Sequence, residues 1–111
     1  MTSTFHVRDL DRARAQYESL GFTACPRTAG GCGCILERGN LVLHLIEERD
    51  RGSDDEAAVA YLEVEDAVVI ALEWSRLSAD GMTTFPTRTA QGFREGLYRD
   101  PDNNVIRFRS S

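Results

Sequence analysis

One order of elements runs twice through these 111 residues, on either side of a charged stretch with no apolar residue, Glu48 to Glu56. Thr2 to Val7 is a short β-branched run, and Asp9 is placed to cap a helix over Leu10 to Leu20, which Gly21 stops. Leu10, Ala13, Tyr17 and Leu20 recur at three and four residues, one apolar stripe for packing on a sheet. Phe22 to Pro26, Gly33 to Glu37 and Asn40 to Glu47 read as strands, the last two joined by a tight Arg38-Gly39 turn. Beyond the charged stretch, Ala58 to Val64 reads as a strand and Asp66 to Ser78 as a helix closed by Ala79-Asp80-Gly81. Thr84 to Arg88, Gly92 to Tyr98 and Asn104 to Phe108 are three further strands. Periodicity alone supports an α+β class. The expected organisation is one domain over 1–111: module one at about 1–47, a linker at 48–57, and module two at about 58–111.

A net charge of −5 argues against nonspecific nucleic-acid binding and favours a cationic or neutral ligand. No apolar run approaches the roughly 18 residues of a membrane span, and the polar N-terminal stretch lacks the regions of a signal peptide, so a cytoplasmic protein is expected. Cys25, Cys32 and Cys34 form an odd set, too closely spaced at Cys32-Gly-Cys34 for a Cys-x-x-Cys site. They read as reduced strand thiols, with a redox-sensitive pair as the alternative. A chain this small, with an open sheet face, gains from dimerising.

Val7-Arg-Asp-Leu-Asp through Tyr17-Glu-Ser-Leu-Gly-Phe22, and Tyr98-Arg-Asp-Pro-Asp-Asn-Asn-Val-Ile-Arg-Phe108 near the other end, together resemble the vicinal oxygen chelate superfamily of glyoxalase I, extradiol dioxygenases and bleomycin-resistance proteins. That resemblance implies two βαβββ modules whose sheets curl around a cleft. In the superfamily's metalloenzymes four ligands come from the first and last strands of both modules. Carried onto this chain they fall on Thr2, His44, Val59 and Arg107. Only His44 is a metal ligand by type, and a guanidinium, always charged and donor-only, repels a cation. No metal and no cofactor are therefore expected.

The resemblance then points to the ligand-binding branch. Arg38-Gly-Asn-Leu-Val-Leu-His-Leu45, Ala60-Tyr-Leu-Glu-Val64 with Ala71-Leu-Glu-Trp74, and Arg94-Glu95 ahead of Tyr98-Arg-Asp-Pro101 are similar to segments of the bleomycin-resistance proteins. Those proteins sequester a drug at a homodimer interface by aromatic stacking. The stacking Trp of that family falls here at Gly92 and a stacking Phe near Gly33, leaving Phe93 and Tyr61 as substitutes.

The expected ligand-binding residues are Thr4, His6, His44, Tyr61, Glu63, Phe93 and Arg107. Thr4 and His6 share a strand face with Thr2, and His44 faces the same cleft. Each histidine reads either as a titratable cleft group or as a half-buried imidazole with a backbone partner. Arg107 shares a face with Val105 and Arg109, opposite Ile106 and Phe108, and needs an anionic partner such as Glu63 or a ligand. Trp74 reads as core with Ile70 and Leu77, whereas Phe85, Phe93 and Tyr98 lie where they would rim the second module's cleft. The leading functional expectation is a metal-free, homodimeric binding protein for a planar, cationic small molecule, a bleomycin-type or other natural-product antibiotic. A glyoxalase- or dioxygenase-like lyase or oxidoreductase with a shifted metal site, or with His6 and His44 as acid and base, is the alternative. A non-catalytic small-molecule carrier or regulatory protein is the third reading.

Overall fold

The computed structural model describes residues 2–24, 33–50, 58–77 and 81–111. Thr2–Val7 (β1), Leu10–Ser19 (α1), Thr23–Ala24 (β2), Gly33–Arg38 (β3) and Leu41–Glu47 (β4) build one sheet and its helix. Val59–Glu63 (β5), Ala67–Leu77 (α2), Met82–Thr83 (β6), Thr87–Arg88 (β7), Arg94–Arg99 (β8) and Val105–Ser110 (β9) build the other. Strand order is β1-β4-β3-β2 in the first sheet and β5-β9-β8-β6 in the second, where β7 also pairs with β8. In each sheet the opening strand runs parallel to the last one, and the last runs antiparallel to its predecessor. The element order read from the sequence is thus an α+β fold of two βαβββ modules.

Local chemistry sets the element ends. Asp9 is extended and accepts the Arg12 amide, while the Glu47 carboxylate, 2.9 Å away, accepts the Leu10 amide, so two otherwise orphaned donors of α1 are satisfied. The Leu10 amide in turn holds the Glu47 carboxyl below its ordinary range. Gly21, at φ 95°, ends the helix in a conformation that side chains disfavour. The hairpin turn falls on Gly39 and Asn40, one residue later than expected, with Gly39 at φ 55°. Only Thr23–Ala24 of the expected 22–26 strand is described as strand, and Cys25 and Cys32 lie outside the described residues, as do 51–57 of the linker. The expected strand at 84–88 is instead two short strands, β6 and β7, separated by residues 84–86. Pro86 has no amide to give a ladder there.

Both helices and the inner faces of both sheets share one core, which includes Phe5, Leu36, Leu43, Leu62, Ile106 and Phe108. Rings run through it in sequence, Phe5 to Tyr17 to Tyr98 to Trp74 to Phe108, with centroids 6.2, 6.3, 5.6 and 5.2 Å apart. Tyr98 is fully buried in this row and does not rim any cleft, because its partner in the ladder, Ile106, points to the same inner face. Helix α2 buries Ala67, Ile70, Ala71 and Trp74; Leu77, expected beside Trp74 in the core, is 44% exposed. A buried polar knot ties the two chain-end motifs together. The Tyr17 hydroxyl donates to Asp100 at 2.5 Å, the other Asp100 oxygen accepts the amides of Asp102 and Asn104, and the Asn104 side chain donates to the His6 carbonyl at 2.9 Å.

Candidate functional site: two open sheet faces

With one face of each sheet committed to the shared core, strand alternation turns the other face to solvent. On the first sheet the parallel register sets Thr4 beside His44 and His6 beside Ile46, while Ile35 flanks His44 from β3. On the second, Tyr61 and Leu97 flank Arg107, and Glu63 and Glu95 flank Arg109. Matching the two registers equates His44 with Arg107, Thr4 with Tyr61, and Ile35 with Leu97. Each module thus has one polar residue at the middle of its open face with an apolar neighbour on one side. His44 and Arg107 are those two residues.

The expected ligand residues therefore fall into two groups. Thr4, His6 and His44 are on the first sheet; Tyr61, Glu63 and Arg107 are on the second, with Phe93 just before β8. Neither groove found over the second group takes a lining residue from the first. The anticipated pairing of Arg107 with Glu63 is also corrected: Arg107 lies 4.0 Å from Glu95, and Glu63 lies 3.5 Å from Arg109. Glu63 is opposite Arg109 in the ladder, which is why the longer diagonal to Arg107 is not taken. The Arg109 guanidinium also sits 4.7 Å over the Phe93 ring, a cation–π contact that orients both. His6 Nδ1 is 3.0 Å from a Glu48 carboxylate oxygen, a side-chain contact off hydrogen-bonding geometry, and it has no backbone partner among the described residues. Among the described residues no hydrogen bond or ion pair engages the His44 side chain.

On the second face Val59 and the expected Tyr61 are 43% and 46% exposed, Phe85, expected at the rim, is 63% exposed, and Met82, which was not anticipated, is 66% exposed. A shallow groove of about 280 Å³ runs over Phe85, Thr87, Glu95, Leu97 and Arg107. Beside it, a smaller one of about 170 Å³ is lined by Glu63, Phe93 and Arg109. Period-two alternation in β8 was the signal that could have found Leu97, as it had already placed Arg109 on this face of β9.

A divalent cation does not fit these faces. The register places Thr4 rather than Thr2 beside His44, and Tyr61 rather than Val59 beside Arg107. With either choice, imidazole is the one ordinary ligand and a guanidinium occupies the equivalent position on the other sheet. Among the described residues no three of His, Cys, Asp and Glu converge as a metal site would require. No described helix is long and apolar enough to cross a membrane.

No family model matches the chain, and neither does any curated protein. Solved structures do. A bleomycin resistance determinant encoded on the transposon Tn5 superposes with a TM-score of 0.84 at 23% identity, over 100% of this chain and 96% of that one. A bleomycin-binding protein solved in complex with bleomycin gives a TM-score of 0.81 at 24% identity, over 100% of this chain and 97% of that one. A lactoylglutathione lyase from Agrobacterium tumefaciens gives 0.71 at 18% identity, over 100% and 92% of the respective chains. Binding proteins and an enzyme thus share this architecture, so function has to be argued from the site. The likenesses establish the fold: this chain folds as the glyoxalases and bleomycin resistance proteins do.

Proposed function

We propose that the protein is a metal-independent, homodimeric, cytoplasmic binding protein that sequesters a planar small molecule, a natural-product antibiotic of the bleomycin type or another flat scaffold. One observation carries this reading: both sheets leave a half-apolar, half-polar face uncovered, and the grooves over the second face are lined by second-sheet residues with none from the first. A cleft with two walls then needs a second copy, the first sheet of one chain facing the second sheet of the other. Tyr61 and Phe93 supply the rings, Leu97 and Ile35 the apolar floor, and Thr4, His6, His44, Glu63 and Arg107 the polar contacts. The fold likeness to a protein solved with bleomycin bound supports the same reading. The lyase or oxidoreductase alternative shares the fold, but the positions it would use offer Thr4, Tyr61 and Arg107 beside the single imidazole of His44.

Calorimetric titration of bleomycin and other planar natural products tests it. Stoichiometric binding without a new product is expected, and Tyr61→Ala should weaken it by roughly ten- to hundredfold, the loss of one buried stacking ring. Unchanged affinity in Tyr61→Ala, or turnover of the ligand, would sink the mechanism. Elemental analysis of the purified protein should find no stoichiometric transition metal; one per chain, removed by His44→Ala, would restore the enzyme reading.

A further inference from the structure

The net charge points to a cationic ligand, but the open face of the second sheet is charged differently from the molecule as a whole. Nine residues form its grid: Glu95, Leu97 and Arg99 on β8; Arg109, Arg107 and Val105 on β9; Glu63, Tyr61 and Val59 on β5. Arg107 is the centre. Its two ladder neighbours are Leu97 and Tyr61, an aliphatic chain and a ring, and its one carboxylate partner among the described residues, Glu95, stands 4.0 Å away, beyond hydrogen-bonding distance. A guanidinium carries five N–H donors in a planar fork. Arg107 is thus an exposed cation, loosely ion-paired to Glu95 and with no side-chain hydrogen bond among the described residues, set between two apolar surfaces.

Its neighbours add to this. Arg109 shares its charge with Glu63 at 3.5 Å, and no side-chain hydrogen bond or ion pair engages the exposed Arg99 guanidinium among the described residues. Three guanidinium groups face two carboxylates on this grid, and both carboxylates stand at its Arg109 end. On the first sheet the equivalent central group is His44, which can donate to an anion or accept from a neutral group, flanked by Thr4 and Ile35. No carboxylate adjoins His44 in that ladder.

We infer that the ligand is a planar aromatic compound bearing an anionic group, carboxylate or sulfonate, which Arg107 receives while the ring system lies along Tyr61 and Leu97. The inference rests on the sequestration reading and narrows it to a flat scaffold other than the cationic bleomycin type. Bidentate pairing of a fork with a two-oxygen anion beside an apolar wall is stronger than either contact in water, because the ring excludes solvent from the charge pair.

Two probes with a common ring system separate the outcomes: 8-anilinonaphthalene-1-sulfonate, which is anionic, and N-phenyl-1-naphthylamine, which lacks the sulfonate. Fluorescence titration of the native protein should show the sulfonate binding at least about tenfold more tightly, with affinity falling as salt rises. Arg107→Gln should abolish that preference, and Arg107→Lys should keep part of it, a point charge without the fork. Both variants should retain the native thermal midpoint, since Arg107 is exposed and outside the core. Equal binding of the two probes, or a sulfonate preference that survives in Arg107→Gln, overturns the inference while leaving a planar-ligand cleft in place. Binding of neither probe, together with no uptake of bleomycin, overturns the sequestration reading and the inference with it. Bleomycin bound more tightly by Arg107→Gln than by the native protein overturns the inference alone, as it would identify a cationic ligand repelled by the guanidinium.

Discussion

Tyr17 and Asp100 show how single residues join the halves of this fold. Burial first, and the Asp100 carboxylate second, push the Tyr17 phenol well above its ordinary value of 10.0. A raised folded value means that the stabilisation from the neutral phenol is complete below about pH 10 and is lost as pH climbs through the folded value. Burial also raises Asp100, against the hydrogen bonds from Tyr17 and Asn104 that favour its charged form. By the same sign rule Asp100 contributes most at acid pH, so acid unfolding does not begin there. Tyr17→Phe leaves a buried carboxylate one donor short and should cost about 1.5–3 kcal/mol. Urea midpoints measured from pH 7 to 11 check both parts: the variant should be weaker at neutral pH, with a shallower alkaline fall. Both residues belong to motifs that were legible in the sequence as a resemblance. Their bond was not, because a side-chain contact across 83 positions leaves no local trace in composition or spacing.

At the scale of elements, most strands were readable, and so was the Trp74 and Ile70 side of α2, though not the turning-out of Leu77. Val68, Val69, Ile70, Ala71 and Leu72 are apolar all round, so period blurs the edges of the buried stripe. Packing decides them: Trp74 stands between Tyr98 and Phe108, and with it Ala67, Ile70 and Ala71 turn inward while Val69 and Leu72 turn out at 53% and 60% exposure. Trp74→Ala should therefore cost about 3–5 kcal/mol, whereas Leu72→Ser should change stability by less than about 0.5 kcal/mol. Thermal or chemical denaturation of the two variants separates them, and equal losses would mean that the helix is turned otherwise. The interruption at Pro86 has a similar lesson. Its effect on a strand was visible in the residue itself, yet β-branched neighbours at 83, 84 and 87 mask it in a windowed reading. The open faces fared better, since period two in β1, β4, β5 and β9 assigned Thr4, His44, Tyr61 and Arg107 to their sides. Which carboxylate each arginine meets depends on register, and register lay beyond the pattern.

The whole molecule, as proposed, is a dimer in which each cleft takes one wall from each copy, and that arrangement makes a prediction no single-chain site shares. One variant, Thr4→Trp, fills the first sheet's face beside His44; another, Arg107→Gln, removes the central cation of the second. Each homodimer should have both of its clefts impaired. In a mixed dimer with exchanged walls, one cleft collects both defects and the other collects none. Random pairing of equal amounts makes half the dimers mixed, so about one cleft in four should recover native affinity. If instead both walls of a cleft came from one chain, every cleft in the mixture would carry one defect and nothing would recover. Refolding the two variants together from denaturant, then titrating the anionic naphthalene probe, reads the difference as a restored high-affinity phase of about a quarter of the native amplitude. Light scattering on the same samples at tens of micromolar must show a dimer; a monomer that still binds would place the whole site on one chain.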